Sequence, residues 1–215
     1  MNIGIVGPAG SGKGTHAGSI AEKYNIVHIV VGDALRDEVR TGSKLGQQIA
    51  ACINVGKAAP SDVVVSAVAK QMGKYPKGTH FLLDSAPYNM EQTIAFSKVM
   101  EIDWLVMLEF ADYAVVFERL SKRRFCPGCH LTTSTNENPN ELCPVCGTAL
   151  EVRADDRREV IERRIENFET NIRPVTEHFK GQGKLLKVSA DGTIAEVWKG
   201  IQGVLDGVFK KGKVK

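Results

Sequence analysis

Residues 7–15 read Gly-Pro-Ala-Gly-Ser-Gly-Lys-Gly-Thr, and this glycine-rich stretch directly follows an apolar run at residues 2–6. The apolar run predicts a strand buried on both faces, and residues 13–24 have a helical pattern. A glycine-rich turn between a strand and a helix can point successive backbone N–H groups at phosphate oxygens, with the helix N-terminus adding partial positive charge. Lys13 supplies an ammonium group for the outer phosphates. The stretch therefore predicts a phosphate-binding loop.

Strands and helices are predicted to alternate along the rest of the chain. Apolar, β-branched runs predict further strands at residues 26–31, 80–84, 104–110 and 185–188. Helical patterns predict helices at residues 33–39, 43–56, 61 onward, 90–100, 112–123, 157–171, 174 onward and 193–208. In this interpretation Arg119 and Arg123 share one helix face, and Pro174 begins a new helix. The alternation favours a parallel sheet with helices on both faces, which is an α/β fold.

The composition is that of an ordinary globular protein. Hydrophobic residues make up 43% and charged residues 25% of the 215 residues, which excludes a disordered or fibrous chain. A net charge of +3 is too small to indicate nucleic-acid binding without a clustered basic face. No apolar stretch reaches the length of a membrane helix, and the N-terminus lacks the pattern of a signal peptide. We therefore expect a cytoplasmic protein with neither membrane nor nucleic-acid partners.

Two Cys-x-x-Cys pairs lie in one segment, Cys126 with Cys129 and Cys143 with Cys146, and 13 residues separate the pairs. Two tight turns that each present two thiolates suit a closed tetrahedral Zn²⁺ site. Two disulfides are the alternative in an oxidising compartment, and an iron centre can use the same ligands. The segment is too short and polar to bury a core of its own, so the metal would have a structural role.

The lysine of the glycine-rich stretch is followed by Gly14 and Thr15, and this Lys-Gly-Thr order resembles the nucleotide-binding loop of adenylate kinases. Other segments resemble that family at matching distances along nearly the whole chain: Gly32-Asp33-Ala34-Leu35-Arg36, Phe81-Leu82-Leu83-Asp84, Arg119 with Arg123, Arg153-Ala154-Asp155-Asp156, and Arg164. Each segment is short and unspecific alone, since a single arginine usually forms a surface ion pair. Their shared order and spacing make the resemblance specific.

The resemblance implies a P-loop core with a five-stranded parallel sheet flanked by helices, a helical arm and a small metal-bound lid. The core would comprise residues 1–30, 60–122 and 157–215, the monophosphate-binding arm residues 31–59, and the zinc-binding lid residues 123–156. The implied activity is ATP-dependent phosphoryl transfer to a nucleoside monophosphate, with AMP as the expected acceptor. The implied oligomeric state is a monomer.

The resemblance also assigns roles to individual residues. Phosphoryl transfer gathers several negative charges, so the site needs cations and no protein nucleophile. The residues implied for ATP are Gly10, Ser11, Gly12, Lys13, Gly14, Thr15 and Arg119, the last near the base. The residues implied for catalysis are Lys13, Arg123, Arg153, Arg164 and Asp84, with Asp155 and Asp156 orienting the arginines. Asp84 would organise the water on the Mg²⁺ that accompanies ATP. The residues implied for the acceptor are Gly32, Asp33, Arg36, Tyr88 and Gln92.

The acceptor side departs from the family pattern. After the strand-ending acid the family reads Gly-Phe-Pro-Arg, whereas this chain reads Ser85-Ala86-Pro87-Tyr88, and Val31 replaces a threonine. Tyr88 has no positive charge and, unlike an arginine, cannot donate hydrogen bonds to two phosphate oxygens at once. Losing one charge-assisted phosphate contact costs about 1.5 to 3 kcal/mol. Three interpretations stay open: AMP phosphorylation with a rearranged site, a different small acceptor, or nucleotide binding with little turnover. A zinc-knuckle nucleic-acid binder ranks below all three, because interleaved aromatic residues are missing.

The remaining cysteine and three histidines carry no predicted role in the site. Cys52 lies on a helical pattern and is interpreted as a small buried apolar residue. His28, His80 and His178 lack the spacing of metal ligands and are interpreted as structural or solvated residues.

Overall fold

A computed structural model describes residues 1–53, 59–129, 131–136, 139–152 and 156–212. The central sheet has five parallel strands in the order β2-β3-β1-β4-β7. Its strands are β1 (Ile3–Val6), β2 (Val27–Val30), β3 (Phe81–Asp84), β4 (Trp104–Glu109) and β7 (Leu185–Ser189). A separate antiparallel pair consists of β5 (Arg123–Phe125) and β6 (Thr132–Ser134). The predicted five-stranded parallel sheet is confirmed.

The helices surround the sheet and connect its strands. They are α1 (Lys13–Tyr24), α2 (Val31–Arg40), α3 (Lys44–Ile53), α4 (Ser61–Met72), α5 (Met90–Ser97), α6 (Ala114–Lys122), α7 (Arg158–Gly181) and α8 (Ile194–Gly212). The predicted end of α3 near Gly56 lies outside the described residues. No helix of the described ranges combines the length and the apolar content needed to cross a bilayer. The division into core, arm and lid stays a prediction.

Apolar layers cover both faces of the sheet. On one face Ile5 and Leu82 pack with Ile20 of α1 and with Ile201 and Leu205 of α8. On the other face the apolar cluster combines strand residues with residues of α4, α5 and α7: Leu83, Leu105, Val68, Phe96, Phe168 and Val175. Two covered faces explain why the central strands β1, β3 and β4 are almost continuously apolar and do not alternate. The strands end at one common edge, where ligands bind in open parallel sheets.

Arg123 does not lie on a helix face with Arg119, so that prediction was wrong. Helix α6 ends at Lys122, and Arg123 has an extended backbone with φ −66° and ψ 140°. Arg123 instead pairs with Ser134 in the β5–β6 ladder, and the Thr135 N–H donates to the Lys122 carbonyl over 2.8 Å. The strand pairing therefore ends the helix before Arg123, although a four-residue spacing is compatible with a helix.

Pro174 does not begin a helix, and this prediction was wrong too. Helix α7 runs without interruption from Arg158 to Gly181 with Pro174 inside it. Ile172 and Val175 on either side of the proline are both buried in the core. Burial of one continuous apolar face outweighs the single intrahelical hydrogen bond that a proline cannot donate.

Candidate active site

The glycine-rich loop connects the end of β1 to the start of α1. A Cβ on Gly7 would lie 2.7 Å from the Ser11 Oγ and 2.8 Å from the Leu108 carbonyl oxygen, so no side chain fits there. Gly10 and Gly12 have φ of +78° and +81°, in the left-handed region that favours glycine. Gly12 is the N-cap of α1 and has no side chain that could accept hydrogen bonds from the first-turn N–H groups. These N–H groups can therefore donate to a bound anion.

Lys13 is folded back over this loop. Its Nζ donates to the Gly7 carbonyl over 2.6 Å and to the Pro8 carbonyl over 2.9 Å. Burial lowers the pKa of Lys13 to about 8; the negative charge of Asp84 opposes this shift, whereas the charges of Arg164 and Arg123 add to it. A phosphate at Nζ would favour the charged ammonium.

Ser11 has a buried hydroxyl group inside the loop. Ser11 is 1% exposed, and its Oγ has no hydrogen-bond partner. Among the described residues, no other buried side-chain nitrogen or oxygen lacks a partner. A buried hydroxyl without a partner is costly and is rare outside functional sites. The Ser11 hydroxyl therefore suits an oxygen-rich ligand in the loop.

Two arginines meet at one buried carboxylate. The Arg123 Nε donates to the Asp156 Oδ2 over 2.8 Å, and the Arg123 Nη2 donates to the Oδ1. The Arg164 Nη1 lies 3.8 Å from the same Oδ1, and the Asp156 side chain is fully buried. Both guanidinium groups also contribute to lowering the pKa of Lys13, so they lie close enough to affect it. The predicted residues Arg153 and Asp155 lie outside the described residues.

A cavity of about 250 Å³ lies between the glycine-rich loop and Arg164. Lys13, Arg164, Ser85 and Tyr88 line it, together with Val6, Gly7, Ala9, Asn167 and Phe168. The cavity thus brings predicted donor residues and a predicted acceptor residue to one place. Asn167 and Phe168 of α7 were missed from the sequence, because neither belongs to a motif; helical spacing from Arg164 is the signal that could have found them.

Asp84 lies at the end of β3 beside the glycine-rich loop. Its side chain is buried, and its Oδ2 lies 3.9 Å from where a Cβ on Gly14 would be. The His28 Nε2 is 3.3 Å from the Oδ2, and the Ser85 hydroxyl donates to the Oδ1 over 3.1 Å. His28 was missed from the sequence, since only the pairing of β2 with β3 brings it to Asp84.

Arg119 connects the loop to the segment after β7. Its Nη2 donates to the Gly192 carbonyl over 2.7 Å, and its Nη1 donates to the Gly10 carbonyl over 3.4 Å. The guanidinium carbon lies 5.1 Å from the centre of the Phe110 ring. The Thr15 side chain, three residues into α1, is exposed. Both residues therefore border the loop, and their contact with ATP stays a prediction.

The predicted acceptor residues fall into two groups. Tyr88 lines the cavity, and its backbone N–H donates to the Gln92 Oε1 over 2.9 Å. Burial raises the pKa of Tyr88, while a hydrogen bond with Asn171 and the charge of Arg164 oppose that rise. Arg36 pairs with Asp33 at the surface, and a Cβ on Gly32 would lie 3.3 Å from the Arg36 Nη1. Gly32, Asp33, Arg36 and Gln92 do not belong to the cavity lining.

The four predicted metal-ligating cysteines converge. Their Sγ atoms all lie within 4.8 Å of one another, and the Cys126–Cys146 and Cys129–Cys143 Sγ pairs are each 3.4 Å apart. A tetrahedral Zn²⁺ with bonds of about 2.3 Å requires sulfur–sulfur distances of about 3.8 Å, so the cluster fits this ion. Hydrogen bonds from the Thr148 side chain and backbone lower the pKa of Cys146 to about 6, whereas, against a backbone hydrogen bond with Leu131, contact with the Cys143 Sγ raises the pKa of Cys129 to about 12. The sulfur distances, and not these pKa values, carry the assignment of a metal site.

Comparison with known proteins identifies the family. The profile of the family described as adenylate kinase matches residues 5–184. The adenylate kinase of Thermococcus kodakarensis is 36% identical over 98% of this chain and 96% of that protein. The adenylate kinase of Pyrococcus furiosus is 35% identical over 96% of each chain, and that of Alkaliphilus oremlandii is 34% identical over 94% of this chain and 96% of its own. The chain therefore belongs to the adenylate kinase family, an enzyme family of nucleoside monophosphate kinases.

Proposed function

We propose that this enzyme catalyses ATP + AMP = 2 ADP. The observation that carries the proposal is the convergence of three cations, Lys13, Arg123 and Arg164, beside a glycine-rich loop at the carboxyl edge of a parallel sheet. Phosphoryl transfer requires positioning and charge neutralisation more than covalent chemistry. A loop of backbone N–H groups with three nearby cations supplies both.

The proposed roles follow from where each side chain lies. The loop N–H groups, the Ser11 hydroxyl and Lys13 would hold the outer phosphates of ATP, and Arg119 would border the nucleoside. Arg123 and Arg164 would neutralise charge on the transferring group, with Asp156 fixing their orientation. Asp84 and Thr15 offer the oxygen ligands that suit Mg²⁺, directly or through water. When bound, Mg²⁺ would neutralise charge between the β- and γ-phosphates.

We also propose that the four cysteines hold one structural Zn²⁺. The sulfur distances and the number of cysteines, four in the described part of the segment, support a closed site without an open catalytic position. A metal-fixed segment can move over the nucleotide as one body and exclude water, which suppresses hydrolysis of ATP. Metal analysis of the purified protein distinguishes zinc from iron.

The kinase proposal is tested with Lys13→Met. We expect the wild-type enzyme to form ADP from ATP, Mg²⁺ and AMP, and the variant to lose this activity at least about 100-fold, because no other group replaces the ammonium. Lys98→Met, at an exposed lysine after α5, is the matched control and should retain wild-type activity. A wild-type enzyme that turned over none of AMP, CMP, UMP, GMP or their deoxy forms would contradict the proposal.

Tyr88 favours a second candidate, a nucleotide-binding protein of the same fold with a changed acceptor or little turnover. It supplies a phenol to the cavity at the position where the family has an arginine. The cations that line the cavity are Lys13 and Arg164. Because Lys13 contacts the glycine-rich loop, which is proposed to bind ATP, Arg164 is the lining cation that remains for an acceptor phosphate. Compared with a site that has an arginine at position 88, an acceptor phosphate would lose one charged contact, which lowers the affinity about 10- to 100-fold.

The variant Tyr88→Arg separates the two candidates. If the native site binds the AMP phosphate poorly, this variant should lower the KM for AMP by about 10-fold or more. Tyr88→Phe is the control, since it keeps the ring, removes the hydroxyl and adds no charge. An unchanged KM for AMP in Tyr88→Arg, together with efficient wild-type turnover, would remove the second candidate.

A further inference from the structure

We propose that His28 is a positioning residue that holds the Asp84 carboxylate in place and so keeps Lys13 available for phosphate. The inference rests on the proposed binding of ATP by the glycine-rich loop. His28 lies on β2 opposite Leu82 of β3, and Asp84 lies two residues further along β3 on the same face of the sheet. Such a diagonal neighbour is within reach of a long side chain, and the His28 Nε2 is 3.3 Å from the Asp84 Oδ2.

Both oxygens of Asp84 are held by neighbouring side chains. The Oδ2 faces His28, and the Oδ1 accepts a hydrogen bond from the Ser85 hydroxyl over 3.1 Å. The Asp84 side chain is only 6% exposed, so water can replace neither contact fully. Two contacts on opposite oxygens fix the plane of the carboxylate as well as its position.

The fixed carboxylate matters because it lies beside the start of α1, where the Asp84 Oδ2 is 3.9 Å from the Cβ position of Gly14, the residue next to Lys13. The negative charge of Asp84 raises the pKa of Lys13 against the effect of burial, so the two groups interact electrostatically. The Lys13 Nζ nevertheless donates to the Gly7 and Pro8 carbonyls and not to Asp84. A carboxylate released from His28 could turn to Nζ and form an ion pair there. That ion pair would compete with the phosphates of ATP for the same ammonium.

The test measures ATP binding by calorimetry without any divalent cation, so that it reports on Lys13 and not on metal loading. His28→Leu removes the hydrogen-bonding nitrogen at similar volume and should raise the Kd for ATP about 10-fold. His28→Gln places its amide nitrogen near the position of the histidine Nε2 and should bind within about 2-fold of wild type. His28→Asn is too short to reach Asp84, so it should weaken binding as His28→Leu does; it also tests the proposal if the leucine variant fails to fold.

A double-mutant cycle with Asp84→Asn separates positioning from a structural effect. Once Asp84 carries no charge, it no longer attracts Lys13, so His28→Leu should leave the Kd of the Asp84→Asn protein unchanged. A general loss of structure would weaken binding equally in both backgrounds.

Three results would overturn the proposal. The first is a wild-type Kd for ATP in both His28→Leu and His28→Asn, and the second is an equal rise in Kd in His28→Gln and His28→Leu. The third is a rise in Kd caused by His28→Leu that is the same in the wild-type and the Asp84→Asn background. The outcome is independent of the acceptor, because binding is read without phosphoryl transfer. A kinase assay that shows no activity with any monophosphate would therefore contradict the proposed function, whereas the ATP-binding test of His28 would remain valid.

Discussion

Arg123 and Asp156 form a two-point ion pair that joins the two ends of the cysteine-containing segment. The Arg123 Nε lies 2.8 Å from the Asp156 Oδ2, and a second hydrogen bond connects Nη2 to Oδ1. The Asp156 side chain is 0% exposed and that of Arg123 is 16% exposed, so the pair is shielded from water. Arg164 approaches the same carboxylate within 3.8 Å. One buried acid therefore fixes two cations of the candidate active site.

Asp156→Asn should destabilise the protein, because Arg123 keeps its buried charge and loses the opposing one. Breaking a buried ion pair by removing one partner costs about 3 to 5 kcal/mol, and the remaining amide oxygen keeps the loss near the lower end. Thermal and denaturant unfolding measure the change. Glu118→Gln breaks the exposed Lys122–Glu118 pair and is the matched control, with no change in melting temperature expected. Equal melting temperatures for both variants would contradict the prediction.

ATP affinity should fall as the pH rises above about 8. The pKa of Lys13 is lowered to about 8 by burial, so the free enzyme loses this charge above that pH, and binding ATP then requires proton uptake. Affinity should be constant close to pH 7 and decrease by up to about 10-fold per pH unit between the free and bound pKa values of Lys13. Calorimetric titrations from pH 7 to 9.5, where the ATP phosphates stay ionised, measure this. Lys13→Arg stays charged throughout and should show a flat profile; a parallel decline in that variant would exclude Lys13 as the cause.

Cys143→Ser should abolish binding of the metal and lower the melting temperature by roughly 10 °C, because the metal stabilises only the folded segment. Plasma emission spectrometry measures the metal content, with one ion per wild-type chain expected. A strong chelator should destabilise the wild type and leave the variant unchanged. Cys52→Ala, at the cysteine on α3 outside the cluster, is the control and should keep the full metal content. Full metal occupancy in Cys143→Ser would refute the assignment.

Ser85→Gly should be more stable than Ser85→Ala by about 1 kcal/mol. Ser85 has φ of +69°, in the left-handed region that costs a residue with a Cβ about 1 to 2 kcal/mol. Both variants lose the hydrogen bond from the Ser85 hydroxyl to Asp84, so their difference isolates the backbone strain. Chemical unfolding of the two variants side by side measures it. Identical midpoints and slopes would show that the backbone relaxes around residue 85.

Features that depend on nearby residues were predictable. The glycine-rich loop was predicted from an apolar strand, closely spaced glycines and a helical pattern within residues 2–24, and the structure has a strand, a loop and a helix there. The four cysteines were predicted to converge because each pair is a tight turn, and their sulfur atoms do meet. Where a long-range contact competes with local pattern, prediction failed: β-pairing ends α6 before Arg123, and core burial carries α7 through Pro174.

The sequence by itself determined the five strands of the parallel sheet, the glycine-rich loop between β1 and α1 and the convergence of the four cysteines, since these follow from periodicity and spacing over a few residues. Only the tertiary structure decided how the groups of the site pair with one another. Arg123 forms a two-point ion pair with Asp156 across 33 residues, a neighbour that only the family resemblance had implied, and His28 meets Asp84 across 56 residues, which nothing in the sequence had implied. Such contacts depend on which strands and helices lie side by side, and that arrangement is set by burial of the whole core and not by any local pattern.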